Sequence, residues 1–170
     1  YSNTNQLNVN FRAAIGTKIN FFGNYGFGIT KGDTDSTSGR GFGGFGGTSF
    51  PVYSYDLSGE YAETTGSVRH SFFTGGSVAL PWGFRANPTI IISSGRRFNI
   101  TSGVDSNRDS LTTERPTYGE LKNACDQRKL TASYCNVSGI SNLNAVIPRN
   151  YGIGPGSFVV NMNLSKTFGF

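Results

Sequence analysis

The chain has 170 residues and a formal net charge of +5; 36% of residues are hydrophobic, 14% aromatic and only 15% charged, and 24 are glycine. Few charges beside many aromatics exclude a charged disordered chain, and the glycine content argues against a helical protein. No apolar run reaches the roughly 18 residues of a transmembrane helix, and the basic residues are scattered instead of forming a nucleic-acid-binding stripe.

Five segments alternate apolar and polar residues with the period of a strand. Over residues 5–14, Leu7, Val9, Phe11 and Ala13 share one face, with Gln6, Asn8, Asn10 and Arg12 on the other. "IGTK" marks a tight turn, and residues 17–30 then place Ile19, Phe21, Tyr25, Phe27 and Ile29 opposite Lys18, Asn20 and Asn24, with Phe22 out of pattern. Residues 31–65 form a long loop containing "GRGFGGFGG" (39–47), best explained as a flexible connection, since no helix or GK[ST] follows to make a phosphate cradle. Residues 66–80 set Val68, Phe72, Val78 and Leu80 against Arg69, Ser71, Ser77 and Ala79; "LPWGF" then signals a turn. Residues 84–100 set Phe84, Ile90, Ile92, Phe98 and Ile100 against Arg85, Asn87, Thr89 and Arg97. A second long loop, 101–155, precedes the last strand, 156–170, where Phe158, Val160, Met162, Leu164, Lys166, Phe168 and Phe170 alternate with Asn161 and Asn163.

The expected fold is therefore all-β, with connections running short, long, short, long. In consecutive antiparallel strands this puts both long loops at one end, as in transmembrane barrels with short periplasmic turns and long extracellular loops. A strand of about 14 residues spans about 46 Å, enough when tilted to cross an apolar band of about 25 Å. Strands of soluble sandwiches are usually nearer five or six residues. Arg12, Arg69, Arg85, Arg97, Asn161 and Asn163 are then expected to face the lumen. Trp82 and Phe84 join Phe168 and Phe170 in an interfacial girdle. Lys166 falls on the lipid face, close enough to the rim for its ammonium to reach headgroups.

The segments "VRH", "LPWG", "SSGRRFNIT", "RNYGIGPG" and "LSKTFGF" together resemble the C-terminal end of TonB-dependent outer-membrane receptors, nearest to the Oar-like subfamily that carries a carboxypeptidase-regulatory-like domain. The resemblance implies a barrel of about 22 strands around a plug, of which this chain supplies the last five. It implies uptake of a scarce ligand, with energy reaching the receptor indirectly through TonB. The implied partners are the remaining barrel and plug, outer-membrane lipid and lipopolysaccharide, and the assembly machinery, which reads the last strand and its aromatics Phe168 and Phe170. The location implied is the bacterial outer membrane. Five strands cannot close such a barrel, so the chain is expected to be a fragment or a subunit completed by another chain. The alternative is an extracellular β-fibre or oligomer assembled from this chain through bare strand edges.

Outside the membrane a disulfide is permitted, and Cys125 and Cys135, in one loop, are expected to pair and close a small hairpin-like loop. Asp105, Asn107 and Asp109 have alternating oxygen ligands that weakly suggest calcium, but Ser110 stands where glycine is wanted and Pro116 where the bidentate Glu belongs. An Asx-rich turn is the plainer explanation. The single His70 has no nucleophile or metal-ligand context, so neither a catalytic site nor a cofactor is expected.

Overall fold

The computed structural model describes residues 1–35, 51–53, 55–65 and 67–168. The glycine-rich stretch 39–47 and Phe170 lie outside the described residues. In chain order the elements are strands β1 (Ser2–Ile15), β2 (Ile19–Gly32), β3 (Ala62–Glu63), β4 (His70–Ala79), β5 (Phe84–Ser93) and β6 (Arg97–Phe98), helix α1 (Tyr118–Arg128), and strands β7 (Gly152–Ile153) and β8 (Ser157–Lys166). β1, β2, β4, β5 and β8 lie side by side in that order, β3 pairs with β2, and β6 and β7 form a separate two-stranded sheet. Among the described residues β1 and β8 are the edges of the larger sheet, which does not close on itself.

The short connections are built from their local sequence. Gly16 adopts φ +58° in the β1–β2 turn. Pro81–Gly83 forms a 3-10 turn with Trp82 at φ 61° and Gly83 at φ +77°. A Cβ on Gly83 would come within 2.8 Å of the Thr167 carbonyl oxygen, so glycine answers both the backbone conformation and the close approach. Thr167 N–H donates to the Gly83 carbonyl at 3.0 Å, tying the end of β8 to this turn.

The chain forms two compact units. A sheet unit comprises Asn5–Ile29, Val68–Gly95 and Pro155–Phe170; a loop unit comprises Tyr1–Thr4, Thr30–Ser67 and Arg96–Gly154. The strand expected over 84–100 ends at Ser93. There Ser94 N–H donates to the His70 carbonyl at 2.8 Å, and His70 N–H donates to Ser94 Oγ at 3.1 Å. This side-chain cap closes the ladder, and Arg97–Phe98 pairs instead with Gly152–Ile153.

The 101–155 segment is more than a connection. Thr117 and Glu120 form a reciprocal capping box at the start of α1, and Lys129 ends the helix in the left-handed conformation at φ 53°. Leu121, Cys125 and Ile147 make a small buried core, with Ile100, Tyr118, Tyr134 and Tyr151 packed against it. Cys125, within α1, is bonded to Cys135 of the 3-10 turn Ser133–Cys135. The bridge thus staples a helix to a turn, where a hairpin-like loop was expected. A core this small, three buried residues among those described, gains from such a tie. Cys135→Ser is expected to lower the stability of the loop unit by about 2–3 kcal/mol, from the entropy of the freed loop. Hydrogen exchange across α1 would measure it, and unchanged protection would contradict the staple role.

Candidate functional site

Directly opposed residues in an antiparallel pair share a face, so the register defines two surfaces of the sheet. One is apolar. Tyr25, Phe72, Ile92 and Phe158 form a row across β2, β4, β5 and β8, followed by Ile90 with Val160, Pro88 with Met162 and Ala86 with Leu164. The Phe11 and Phe72 rings stack at 6.1 Å. On β8 this face is bare: Phe158, Val160, Met162 and Leu164 are 53–68% exposed. A continuous exposed apolar strip of this kind marks contact with lipid or a partner.

The opposite face carries Thr89 with Asn161, Asn87 with Asn163, Arg85 with Ser165, and Ser71, Ser93 and Ser157 in one row. The Oγ atoms of Ser93 and Ser157 lie 2.8 Å apart, and Asn24 Nδ2 donates to Asn10 Oδ1 at 2.8 Å, which fixes the parity of β1. Arg12, Arg85, Asn161 and Asn163 therefore lie on the polar face. Arg69, one residue before β4, has the parity of Ser71. The face is less uniformly polar than its sequence suggests. Phe73, Ile91 and Val159 form an apolar row on it, and the Phe22 ring lies 5.9 Å from that of Phe73.

Charge is sharply divided. All ten Asp and Glu residues fall in the loop unit, whereas the sheet unit carries Arg12, Lys18, Arg69, Arg85 and Lys166 with no side-chain carboxylate. At the short-turn end Phe84 pairs with Lys166, whose Nζ sits 4.9 Å from the Phe84 ring centre and 4.8 Å from that of Phe168. The ammonium is thus held between two aromatic faces. Trp82, at the tip of the adjoining turn, is 86% exposed. At the other end His70 Nδ1 and Tyr25 Oη are 2.8 Å apart, and the Phe27 and His70 ring centres are 5.1 Å apart. The only histidine belongs to an aromatic cluster at the rim.

Arg97 departs from the expected lumen set. It lies in β6, and its Nε donates to Glu63 Oε2 at 2.9 Å. It belongs to a polar network in the loop unit that alternation in the sequence does not reveal. Arg115 Nη1 donates to Glu60 Oε2 at 2.9 Å. The Arg149 guanidinium, 1% exposed, donates to the Gly32 carbonyl and lies 3.9 Å from Glu60 and 4.0 Å from Asp35. Asn150 Nδ2 donates to both Asp35 carboxylate oxygens at 3.0 Å and to the Glu63 carbonyl at 2.9 Å. Three carboxylates (Asp35, Glu60, Glu63) thus meet three guanidinium groups (Arg97, Arg115, Arg149). Asp35, Glu60 and Glu63 all lie far from Arg149 in sequence, so no local pattern announces the network.

Asp105, Asn107 and Asp109 are close together but point their oxygens at backbone donors. Asp105 accepts from the N–H groups of Asp109 (3.2 Å) and Ser110 (2.9 Å), Asn107 from Asp109 N–H (3.0 Å), and Asp109 from Leu111 N–H (2.8 Å). These bonds make an Asx-turn lattice of the three side chains. No group of three or more His, Cys, Asp or Glu side chains that could hold a metal ion occurs among the described residues. Beside it, Glu114 accepts from Ser106 N–H at 2.7 Å and Asn107 N–H at 3.1 Å. Desolvation pushes its carboxyl upward, but the backbone donors outweigh it and hold the carboxyl below the ordinary glutamate value. Glu120 is likewise held low by the Thr117 backbone and side-chain donors.

No curated protein and no solved structure matches the chain. The family model described as an outer membrane beta barrel domain matches residues 1–170. Long antiparallel strands with one bare apolar face and one polar face suit that match, and the chain belongs to the outer membrane beta barrel domain family, a component of the bacterial outer membrane.

Proposed function

We propose that this chain is the C-terminal barrel portion of a TonB-dependent receptor of the Oar-like kind, which takes up a scarce ligand across the outer membrane. The observation that carries the proposal is the two-faced sheet, whose long connections both leave from one end and whose other end is rimmed by Trp82, Phe84, Lys166 and Phe168. β4, β5 and β8 have 10 residues each. That is the length a tilted strand needs to cross the hydrocarbon core, about 9–11 residues. The apolar face meets lipid, and the rim aromatics with Lys166 meet headgroups at the periplasmic side, including the phosphates of that leaflet. The long connections 31–65 and 101–155 are extracellular, toward lipopolysaccharide.

The polar face forms part of the barrel interior. Arg12, Arg85, Asn161 and Asn163 face a plug there, whose carboxylates meet Arg12 and Arg85. The row Phe73, Ile91 and Val159 provides an apolar foothold for the same plug. The edges β1 and β8 pair with further strands, because an unpaired edge in lipid leaves backbone groups unsatisfied at several kcal/mol each. The role is transport, with no catalytic step and no cofactor.

Phe168→Ala in the full receptor is expected to lower the amount of assembled protein, because the Phe168 ring, with that of Phe84, holds Lys166 at the rim. Normal amounts of heat-modifiable, membrane-inserted protein in that variant would count against the proposal. So would uptake that persists in cells lacking TonB. Detergent-free fibres of the chain with a repeat of about 4.7 Å would instead favour edge-to-edge self-assembly.

A further inference from the structure

The loop unit holds a groove of about 530 Å³. That volume lies within the range of small-molecule sites, about 300–1,000 Å³. One wall is the face of α1 bearing Glu120, Leu121, Ala124 and Arg128, spaced at the helical repeat. The other is the extended segment from Phe98 to Val104. The floor is apolar: Leu121 is buried, and the disulfide through Cys125 fixes the helix at this level. Glu120 and Arg128 are the charged residues of the lining, of opposite sign, at the two ends of the helical wall. Eight residues of helix separate them by about 12 Å along the axis.

A ligand fitting this frame has a positive group and a negative group about 12 Å apart and an apolar body between them. An extended chain advances about 3.3–3.6 Å per residue, so a peptide of about three residues with both termini free has that span. We propose that the groove binds short apolar peptides with free termini, the ammonium at Glu120 and the carboxylate at Arg128. The helix dipole favours the reverse orientation, but it amounts to only about half a charge at each end. At the N-terminal end the Thr117–Glu120 cap already occupies helix donors. The full charges of the two side chains therefore set the direction. Oε2 of Glu120 takes both cap bonds from Thr117, and neither uses Oε1. An acyl chain would suit the floor but would bring no counter-charge to Glu120, and a dianion would be repelled by it.

The proposal gives a ligand class to the receptor described above, yet its test is separate from TonB. Full-length receptor in detergent is titrated calorimetrically with Leu-Ala-Leu, its N-acetyl form and its C-terminal amide. The free peptide is expected to bind, and each blocked form to bind about tenfold more weakly or worse. Glu120→Gln keeps the capping box, because glutamine serves there too, and should erase the penalty of acetylation alone. Arg128→Gln should erase the penalty of amidation alone. Equal binding of all three peptides by the wild-type receptor, no binding of any, or tight binding of decanoate unaffected by either substitution would overturn the assignment. Charge-dependent binding in detergent with TonB-independent uptake in cells would overturn only the transport proposal. TonB-dependent uptake of another ligand without peptide binding would overturn only this one.

Discussion

Val160→Arg is expected to abolish accumulation of folded, membrane-inserted receptor, while Asn161→Arg, one residue away, leaves it near the wild-type level. Val160 is opposite Ile90 on the apolar face, near the middle of β8, and is 53% exposed. Asn161 is opposite Thr89 on the polar face. An arginine facing hydrocarbon at mid-depth costs roughly 2–4 kcal/mol in a barrel. That is a large share of the roughly 5–15 kcal/mol that stabilises a folded protein. The same side chain facing a wet interior keeps its hydration. Heat-modifiable mobility of the outer-membrane fraction, followed by denaturant unfolding, measures the difference. Equal behaviour of the two variants would mean that the faces are not divided between lipid and water.

Arg149→Met is expected to destabilise the loop unit by roughly 3–5 kcal/mol. The substitution matches the volume roughly but leaves Asp35 and Glu60, both buried, without the guanidinium that lies between them, and it removes the donor to the Gly32 carbonyl. Glu60 keeps Arg115, so the cost falls mainly on Asp35, which loses the guanidinium beside it. Lys122→Met, at an exposed position of α1, is the control and should stay within about 0.5 kcal/mol of wild type. Hydrogen exchange over residues 51–65 and 101–154 gives the measurement. Protection in Arg149→Met equal to that in Lys122→Met would show that the network contributes nothing to holding these segments.

The strands were legible in the sequence because their information is local. A period of two over ten or more residues has one meaning, and Phe158, Val160, Met162 and Leu164 could be placed on a single face without knowing their neighbours. Lys166 was legible for the same reason: parity puts it on the apolar face, at the end of β8 beside the short turn. The register with β5 adds the cage of Phe84 and Phe168.

Local information failed where a side chain's partner is distant in the chain. Arg97 shares the parity of Arg85 in the sequence, yet the Ser94 cap ends β5 between them, and Arg97 meets Glu63 instead. The helix α1 carried a readable signal, the spacing of Thr117 and Glu120, but its face is too weakly apolar to announce a helix by periodicity. The bond between Cys125 and Cys135 was expected, while the element it staples was not.

By itself the sequence determined the class of the protein: long two-faced strands, the end that carries the long connections, and the aromatic residues gathered at the short-turn end. Each follows from alternation, turn residues and strand length, all properties of neighbouring residues. Only the tertiary structure decided which charges compensate one another, that Phe73, Ile91 and Val159 form an apolar row on the polar face, and that Glu120 and Arg128 frame a groove. Those depend on register and on segments brought together from far apart in the chain, and a buried arginine in a loop reads the same as an exposed one until its carboxylates are in place.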